Sequence, residues 1–434
     1  MLVAVTTGAF DMGVSIQNIT GFRFEPMEVA ALVQPDGVSY LNQADKVTLW
    51  FAINAHPAFN ANLRLGWMFK LTGGETDLYY DTLNFNPLEL LKSLERFSFS
   101  GSVPVEPTAF SNFSYTIGRY KVRDFTGHLV DTTLDGGEFG FRWTNTELRF
   151  GVWYGGVIDR NISNLYLSPA DTAGYESDWA FGPPRLVNLL EFTIRNIGRQ
   201  NLTILLAGQE DLRQGWELLS YGDGALYTQY AGVALHGYLI PNLHYRALGM
   251  LGTGVRWYID DPEAYIFTLS QLYELSVNYY LKGEANSRVG FRFLYTSGDS
   301  DGRADWEGTS FAAGTDLSTM FTPVSGKRYG YVFTPRLGNI FLFDFSYTLG
   351  AGRMAGFTFK DTPYFRSTPG PIDTETIPGS EGRFLGNEIM LEVAFRPLSD
   401  LGLSLSAGLF FPNSKVLVDG DIGFRTDLTL SVSF

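Results

Sequence analysis

Charged side chains recur on alternate positions between apolar ones along much of this chain, and that spacing limits the chemistry they can do. In EFGFRWTNTELRFGVWY, Phe139 and Phe141 alternate with Glu138 and Arg142, and Leu148, Phe150 and Val152 alternate with Arg149. A strand sends successive side chains to opposite faces, so such a segment has one apolar and one charged face. The same parity places Arg64, Arg195, Arg246, Arg288 and Arg292 on polar faces, together with Glu191, Glu274, Asp344, Glu388 and Glu392. Arginine offers a fixed, always-charged fork that matches a carboxylate or phosphate. The bases of this set run up to Arg292, whereas the acids from Glu274 onward fall mostly in the last third. If the polar faces line a water-filled lumen, that distribution predicts a transverse field across it. The plainer alternative is that these charges pair along a wall and only stabilise it. Arg142 and Arg149 are the best candidates for contact with a solute, because like charges in one hairpin gain nothing from each other.

Other chemistries find little footing. Cysteine is absent, which removes thiolate and disulfide chemistry. The four histidines, His56, His128, His236 and His244, come with no neighbouring Ser or Asp that completes a triad, so catalysis is not expected. GDSDGRADWEG sets Asp299, Asp301, Asp305 and Glu307 on a Gly-rich stretch, with a hint of D-x-D-G calcium-loop spacing. Ca2+ there is the one cofactor the sequence suggests; a solvated acidic loop is the alternative. A net charge of −14 leaves no basic patch for a nucleic-acid partner.

The elements that carry these faces are strands. At 434 residues, with 15% aromatic residues and 48 glycines, the chain shows no sustained helical periodicity. The longest interval free of Asp, Glu, Lys and Arg, Gly224 to Tyr245, contains Pro241 and alternates, so it reads as a hairpin rather than a spanning helix. MLVAVTTGAF has no basic residue before Arg23, so any secretory leader is expected to have been removed. The unit repeated along the chain is an alternating strand, a short turn, a second strand and a longer polar loop. Gly13 to Phe24 is a weak first strand, and PLELLKS is expected to hold a brief helix. The count reaches about 18 strands, and a tilted strand of about 10 residues crosses the roughly 25 Å apolar band of a transmembrane barrel. A soluble sandwich would have to hide every apolar face in one core. The expected fold is therefore all-β: a single transmembrane antiparallel β-barrel over residues 1–434, with short turns at one rim and long loops at the other.

The last segment, Asp427 to Phe434, alternates Leu428, Leu430, Val432 and Phe434 with polar residues. It resembles the closing strand of bacterial outer-membrane β-barrels, which commonly end on such a Phe. That resemblance implies pairing with the first strand, recognition of Phe434 by the barrel assembly machinery, and outer-membrane lipid around the wall. SYTIGRYKVRDFTG with DTTLDGGEFGFRW, and RFLYTSGDSDG with FTPVSGKRYGYVFTPRLGNIFLF, look like the strand-loop-strand patterns of alginate-export-type outer-membrane channels. This second resemblance implies an 18-strand monomeric barrel. A polyanion exporter implies a strongly positive lumen, whereas the polar faces here are of mixed sign.

The function expected is a passive porin-like or exporter-like channel for polar or anionic solutes or polysaccharide, constricted by loops 158–184, 298–336 and 362–386. The alternative is a surface receptor or structural barrel whose lumen is plugged and whose loops bind partners.

Overall fold

Strands β12 (Leu243–Trp257) and β13 (Tyr265–Tyr280) show how the sequence becomes wall. Leu251, Leu269, Tyr273 and Leu275 stand exposed on one face, while Leu248, Met250, Leu272 and Glu274 on the other are buried. In a computed structural model of the chain this alternation persists around a closed ring. The structure describes residues 9–25, 38–77, 82–85, 89–105, 111–160, 162–168, 171, 181–213, 226–257, 265–281, 283, 286–299, 317–352, 354–370, 372, 376, 380–418 and 420–433.

Of the twenty described strands, eighteen build the wall. They begin with β1 (Ala9–Glu25), β2 (Val38–His56) and β3 (Phe59–Asp77), and continue through β5 (Glu89–Pro104), β6 (Asn112–Arg123), β7 (Asp131–Arg142), β8 (Thr146–Tyr154) and β9 (Arg185–Ile197). Next come β10 (Gln200–Asp211), β11 (Leu226–Ile240), β12, β13 and β14 (Arg288–Thr296). The ring ends with β16 (Ile340–Ala351), β17 (Ala355–Arg366), β18 (Phe384–Leu398), β19 (Leu401–Pro412) and β20 (Gly423–Ser433). The short β4 (Thr82–Phe85) pairs antiparallel with the end of β3, beyond the stretch that β3 shares with β5, and β15 (Leu317–Ser318) lies parallel beside β13. All wall pairings are antiparallel between neighbours in sequence order.

The ring closes where β1 meets β20, from Ser15 opposite Ser433 to Phe24 opposite Phe424. The first strand is thus a full ladder member of 17 residues rather than a weak one. Closure matters because an open edge would leave backbone N–H and C=O groups unpaired in lipid. Phe434 itself lies outside the described residues. PLELLKS also differs from expectation: Glu89 to Ser93 belongs to β5, because this run pairs with β3 from Lys70 opposite Glu89 to Gly66 opposite Ser93. An isolated helical turn there would forfeit those ladder bonds. Residues 362–366 and 384–386, expected in a loop, are wall strand in β17 and β18, so the connection between them is 367–383.

The outer surface is an apolar belt. Phe97, Phe99, Phe150, Val152, Leu206, Val233, Leu251, Phe345, Val393 and Leu405 are among its exposed members. No helix among the described residues is long and apolar enough to cross a membrane, and the apolar belt is carried by strands.

Inside, the expectation of a polar lining fails over part of the wall. Val187, Leu189, Leu205, Leu248, Met250, Leu272 and Leu294 occupy inward positions and are buried. They form one apolar cluster with Val122, Leu129, Val130, Leu134, Phe321 and Val324. The latter residues belong to a hairpin and a loop that have folded into the barrel, and each buried aliphatic side chain stabilises that docking by about 1.5–3 kcal/mol.

Candidate functional site

The hairpin is the continuation of β6 and β7 beyond their outer neighbours. Pairing of β6 with β5 ends at Arg119, and pairing of β7 with β8 ends at Asp135, while the β6–β7 ladder continues to Arg123 opposite Asp131. The ribbon leaves the wall at glycines. Gly118 has φ +115°, and a Cβ there would lie 2.2 Å from the Phe97 carbonyl oxygen; one on Gly136 would lie 2.2 Å from the Val152 carbonyl oxygen. Past that bend Tyr120, Val122 and Leu134 are buried, with the Trp153 indole N–H donating to the Tyr120 hydroxyl at 2.7 Å.

The hairpin tip, 124–130, is shaped by its own aspartate. Asp124 accepts the backbone N–H groups of Thr126 (2.9 Å), Gly127 (3.1 Å), Leu129 (3.1 Å) and Val130 (2.7 Å). Two wall carboxylates then fix the tip inside the ring. Glu191 on β9 accepts the Phe125 N–H at 2.7 Å. Glu274 on β13 lies 2.5 Å from Nε2 of His128. Both carboxylates are on inward positions, so the tip lies within the barrel.

His128 sits between two partners. Its Nδ1 contacts the Tyr329 hydroxyl, and Arg246 holds the Glu274 carboxylate through contacts of 2.6 and 2.8 Å. Burial lowers the His128 pKa, with the Arg246 and Arg292 charges acting the same way and Glu274 opposing. Burial also pushes the Tyr329 hydroxyl well above its ordinary value, so it remains a donor. A neutral imidazole satisfies the site: Nε2–H donates to Glu274 and Nδ1 accepts from Tyr329. The released tip regains a pKa near 6.5. It therefore takes up a proton that the docked tip refuses, and docking is fully favoured above that pH and weakens as pH falls below it. Current noise from the open lumen should increase between pH 7.5 and pH 5, and His128→Gln should flatten that dependence.

The second insertion is the loop between β14 and β16, described over 297–299 and again from Leu317. Its Ser325 N–H donates to the Leu129 carbonyl at 3.0 Å, and Lys327 Nζ to the Gly127 carbonyl at 3.1 Å. Tyr166, from the loop between β8 and β9, donates its N–H to the Val324 carbonyl at 2.9 Å. The chain then crosses to the far wall. There Glu388 accepts the N–H groups of Tyr331 (2.9 Å), Val332 (2.7 Å) and Phe333 (2.9 Å). Phe333 stacks on Phe410 at 4.4 Å, and Arg425 lies 4.8 Å over the Tyr331 ring.

The described contacts of the two insertions run from β8 round to Arg425 on β20, whose guanidinium donates to the Tyr331 carbonyl at 3.2 Å, and the inward faces of β1, β2, β3 and β5 stand across from the hairpin's other face. On that face Lys121 and Arg123 have side chains 68% and 58% exposed; Lys121 reaches Asp131 at 2.8 Å, and Arg119 reaches Asp135 at 2.6 Å. On the wall Glu95 is shared by Lys46 (2.5 Å) and Arg64 (3.0 Å), and Arg425 pairs with Asp427 at 2.9 Å.

Most charges expected to line a pore sit in local ion pairs. Arg149 bridges Glu138 (2.9 Å) and Glu191 (3.0 Å), and also bonds the Arg123 carbonyl, so it braces the hairpin. Arg142 and Arg195 converge on Glu147, which the sequence reading had not singled out; Arg142 lies 3.4 Å from it. Arg142 and Arg149 are therefore not an unpaired duo. Arg246 serves Glu274, Arg292 serves Asp344 at 2.8 Å, and Glu388 is occupied by the crossing loop. Arg288 and Glu392 fall on inward positions of β14 and β18, opposite Thr348 and Ser406. With acids beside bases in this way, the two-sided separation of charge expected from sequence order gives way to local compensation.

The sequence reading missed Arg119, Lys121 and Arg123, although their spacing of two, matched by Asp131 and Asp135, was there to be read. His236 bonds Asn201 at 3.2 Å, and His244 packs edge-on to Tyr238. Asp301, Asp305 and Glu307 lie outside the described residues; Asp299 is buried, and no metal-binding group occurs among the described residues.

A closed barrel of eighteen wall strands with an apolar exterior and a polar, partly occupied lumen is the fold of bacterial outer-membrane porins. Solved structures with this fold include Pseudomonas aeruginosa OccK7 (OpdD), with a TM-score of 0.60 and 12% identity over 98% of both chains. Pseudomonas aeruginosa OccK5 (OpdH) follows at 0.56 and 10% over 98% of both. Pseudomonas aeruginosa OccK2 (OpdF), solved in complex with glucuronate, matches at 0.53 and 12% over 98% of both. At this identity the likeness is one of fold. No protein-family model matches the chain, and no curated protein matches it.

Proposed function

We propose that this chain is a passive outer-membrane channel for small anionic solutes, acting as a monomer whose closing strand is read by the barrel assembly machinery. One observation carries the reading: although the protein is acidic overall, the arc left open is basic. Among the described side chains Lys46, Arg64, Arg96, Arg119, Lys121, Arg123 and Arg425 face it with Asp11, Glu95, Asp131, Asp135 and Asp427, seven cations against five carboxylates. In a narrow water-filled passage the nearby wall charge, not the charge of the whole molecule, sets the potential a solute meets. A polysaccharide cargo fits less well, because a hairpin and a loop both cross the lumen. A plugged receptor barrel is disfavoured by the exposure of Lys121, Arg123 and Arg64 inside the ring.

In planar bilayers under a salt gradient, the protein should give conductance steps with a reversal potential on the anion-preferring side. Replacing Lys121 and Arg123 by Gln should move it most of the way to the unselective value. A reversal potential unmoved by that double change would contradict the assignment of the hairpin face to the pathway.

A further inference from the structure

The outer wall carries two carboxylates among its apolar side chains. Asp45 on β2 stands opposite Asn18 on β1, which on its other side stands opposite the exposed Leu430. Asp361 on β17 stands opposite the exposed Phe345 on one side and the exposed Ile389 on the other. Opposed residues in a sheet share a face, so both carboxylates point out of the barrel. Each is held by an asparagine on the neighbouring strand: Asn18 Nδ2 donates to Asp45 at 2.5 Å, and Asn387 Nδ2 to Asp361 at 2.7 Å. Gln43 adds a second amide to Asp45 at 3.2 Å. Amides fix the direction of a carboxylate and leave its charge whole. Among the described residues no Lys, Arg or His pairs with either one. An ionisable side chain in a membrane-crossing wall calls for a partner.

The two sites lie at one depth. From Asp45 the cross-strand row runs through Asn18, Leu430, Leu403 and Phe395 to Ala355. Ala355 is the first residue of β17, beside the short turn after β16, whereas Asp45 stands far above the turn that follows His56. The row therefore climbs from β17 towards β2. Strands tilted by about 40° and spaced about 4.8 Å apart move the level line off such a row by about one residue per strand, or about six from β2 to β17. That offset leads from Ala355 to Asp361.

We propose that Asp45 and Asp361 bind ammonium groups of lipid headgroups at one level of the surrounding bilayer. Between β2 and β17 lie β1, β20, β19 and β18, so the two sites are more than a quarter of the ring apart. One docked protein would have to wrap that curve to meet both, whereas a lipid layer presents the same headgroup all round. A divalent cation takes about six or more oxygen ligands, and each site offers a single carboxylate. An ammonium instead donates to that carboxylate in a charge-assisted bond and rests against ring faces. Phe345 opposes Asp361, and Phe411 opposes Asn387, so rings flank that site. The sites depend on the barrel and its apolar belt, not on the solute that passes.

The test is native mass spectrometry of the full chain in detergent, with phosphatidylethanolamine, phosphatidylcholine and phosphatidylglycerol of identical acyl chains in equal amounts. Phosphatidylethanolamine should be retained about tenfold over each of the others, which corresponds to about 1.4 kcal/mol. Choline has no N–H to donate, and the glycerol headgroup has no cation. Asp45→Asn and Asp361→Asn should each remove part of the excess, and the double variant nearly all of it. Asparagine keeps the shape and a hydrogen bond at each site, so the wall is retained. Equal retention of phosphatidylethanolamine and phosphatidylcholine by the wild type would overturn the proposal, as would an excess that survives the double change. Phosphatidylglycerol held only with Mg2+, and released by the double change, would put a metal-bridged phosphate in place of the ammonium. A dimer lost on the same substitutions would make these carboxylates a contact between copies of the chain instead.

Discussion

Replacing Phe125–Leu129 by Asn-Gly, so that a two-residue turn joins Asp124 to Val130, should raise single-channel conductance at least about twofold. The change removes the Phe125 N–H from Glu191 and His128 from Glu274, the two contacts that fix the hairpin within the ring. It also removes the Gly127 carbonyl that Lys327 holds and the Leu129 carbonyl that Ser325 holds, so the crossing loop loses its footing at the same stroke. The wall should survive. Glu191 keeps Arg149 and Glu274 keeps Arg246, so neither carboxylate is left buried without a cation. Conductance is the fitting readout because it follows the narrowest cross-section. An unaltered value in a correctly folded variant would place the constriction elsewhere.

Glu388→Ala should be the most disruptive single change in the lumen. Glu388 is 3% exposed, and its carboxylate gathers three consecutive backbone N–H groups of the crossing loop. Each buried donor left without an acceptor costs about 1–3 kcal/mol, and the three act together, so local docking should weaken by roughly 3–5 kcal/mol. Glu388→Gln retains one carbonyl oxygen and should cost about 1–2 kcal/mol. Chymotrypsin added to reconstituted protein reports the difference, since Tyr331 and Phe333 become cleavable only when the loop leaves the wall. Equal protease resistance of the Ala variant and the wild type would mean that Phe333 on Phe410 and Arg425 over Tyr331 hold the loop unaided.

Glu388 also shows how far the sequence could be read. Its parity in β18 gave the correct face, inward. Its role was invisible, because strand alternation tells which side of a sheet a residue faces and nothing about what occupies the space beyond. The same holds for His128, which pairs with a glutamate 146 positions away, and for Arg149, whose partners lie on strands either side of its own. Loss of alternation was the one local trace of the folded-in segments. Leu186-Val187-Asn188-Leu189-Leu190 is apolar on both faces, which an inward wall facing water would not be, and Val187 and Leu189 prove to lie under the hairpin. The bend glycines Gly118 and Gly136 stood inside the motif that had suggested a channel family, without revealing that they turn a ribbon into the lumen.

The closing contact between β1 and β20 belongs to the legible part. Period-two patterning is a property of the local chain, since each strand residue must choose between lipid and lumen, and the choice is written in its side chain. The sequence by itself therefore determined the strands, their outward faces and the need for closure. Only the tertiary structure decided which part of the lumen stays open. That depends on carboxylates and apolar patches far apart in the chain meeting a hairpin whose own pattern looks like more wall. In the channel proposed above, the basic character of the passage follows from the same cause: docking covers one side of the lumen and leaves the arc from Lys46 to Arg123.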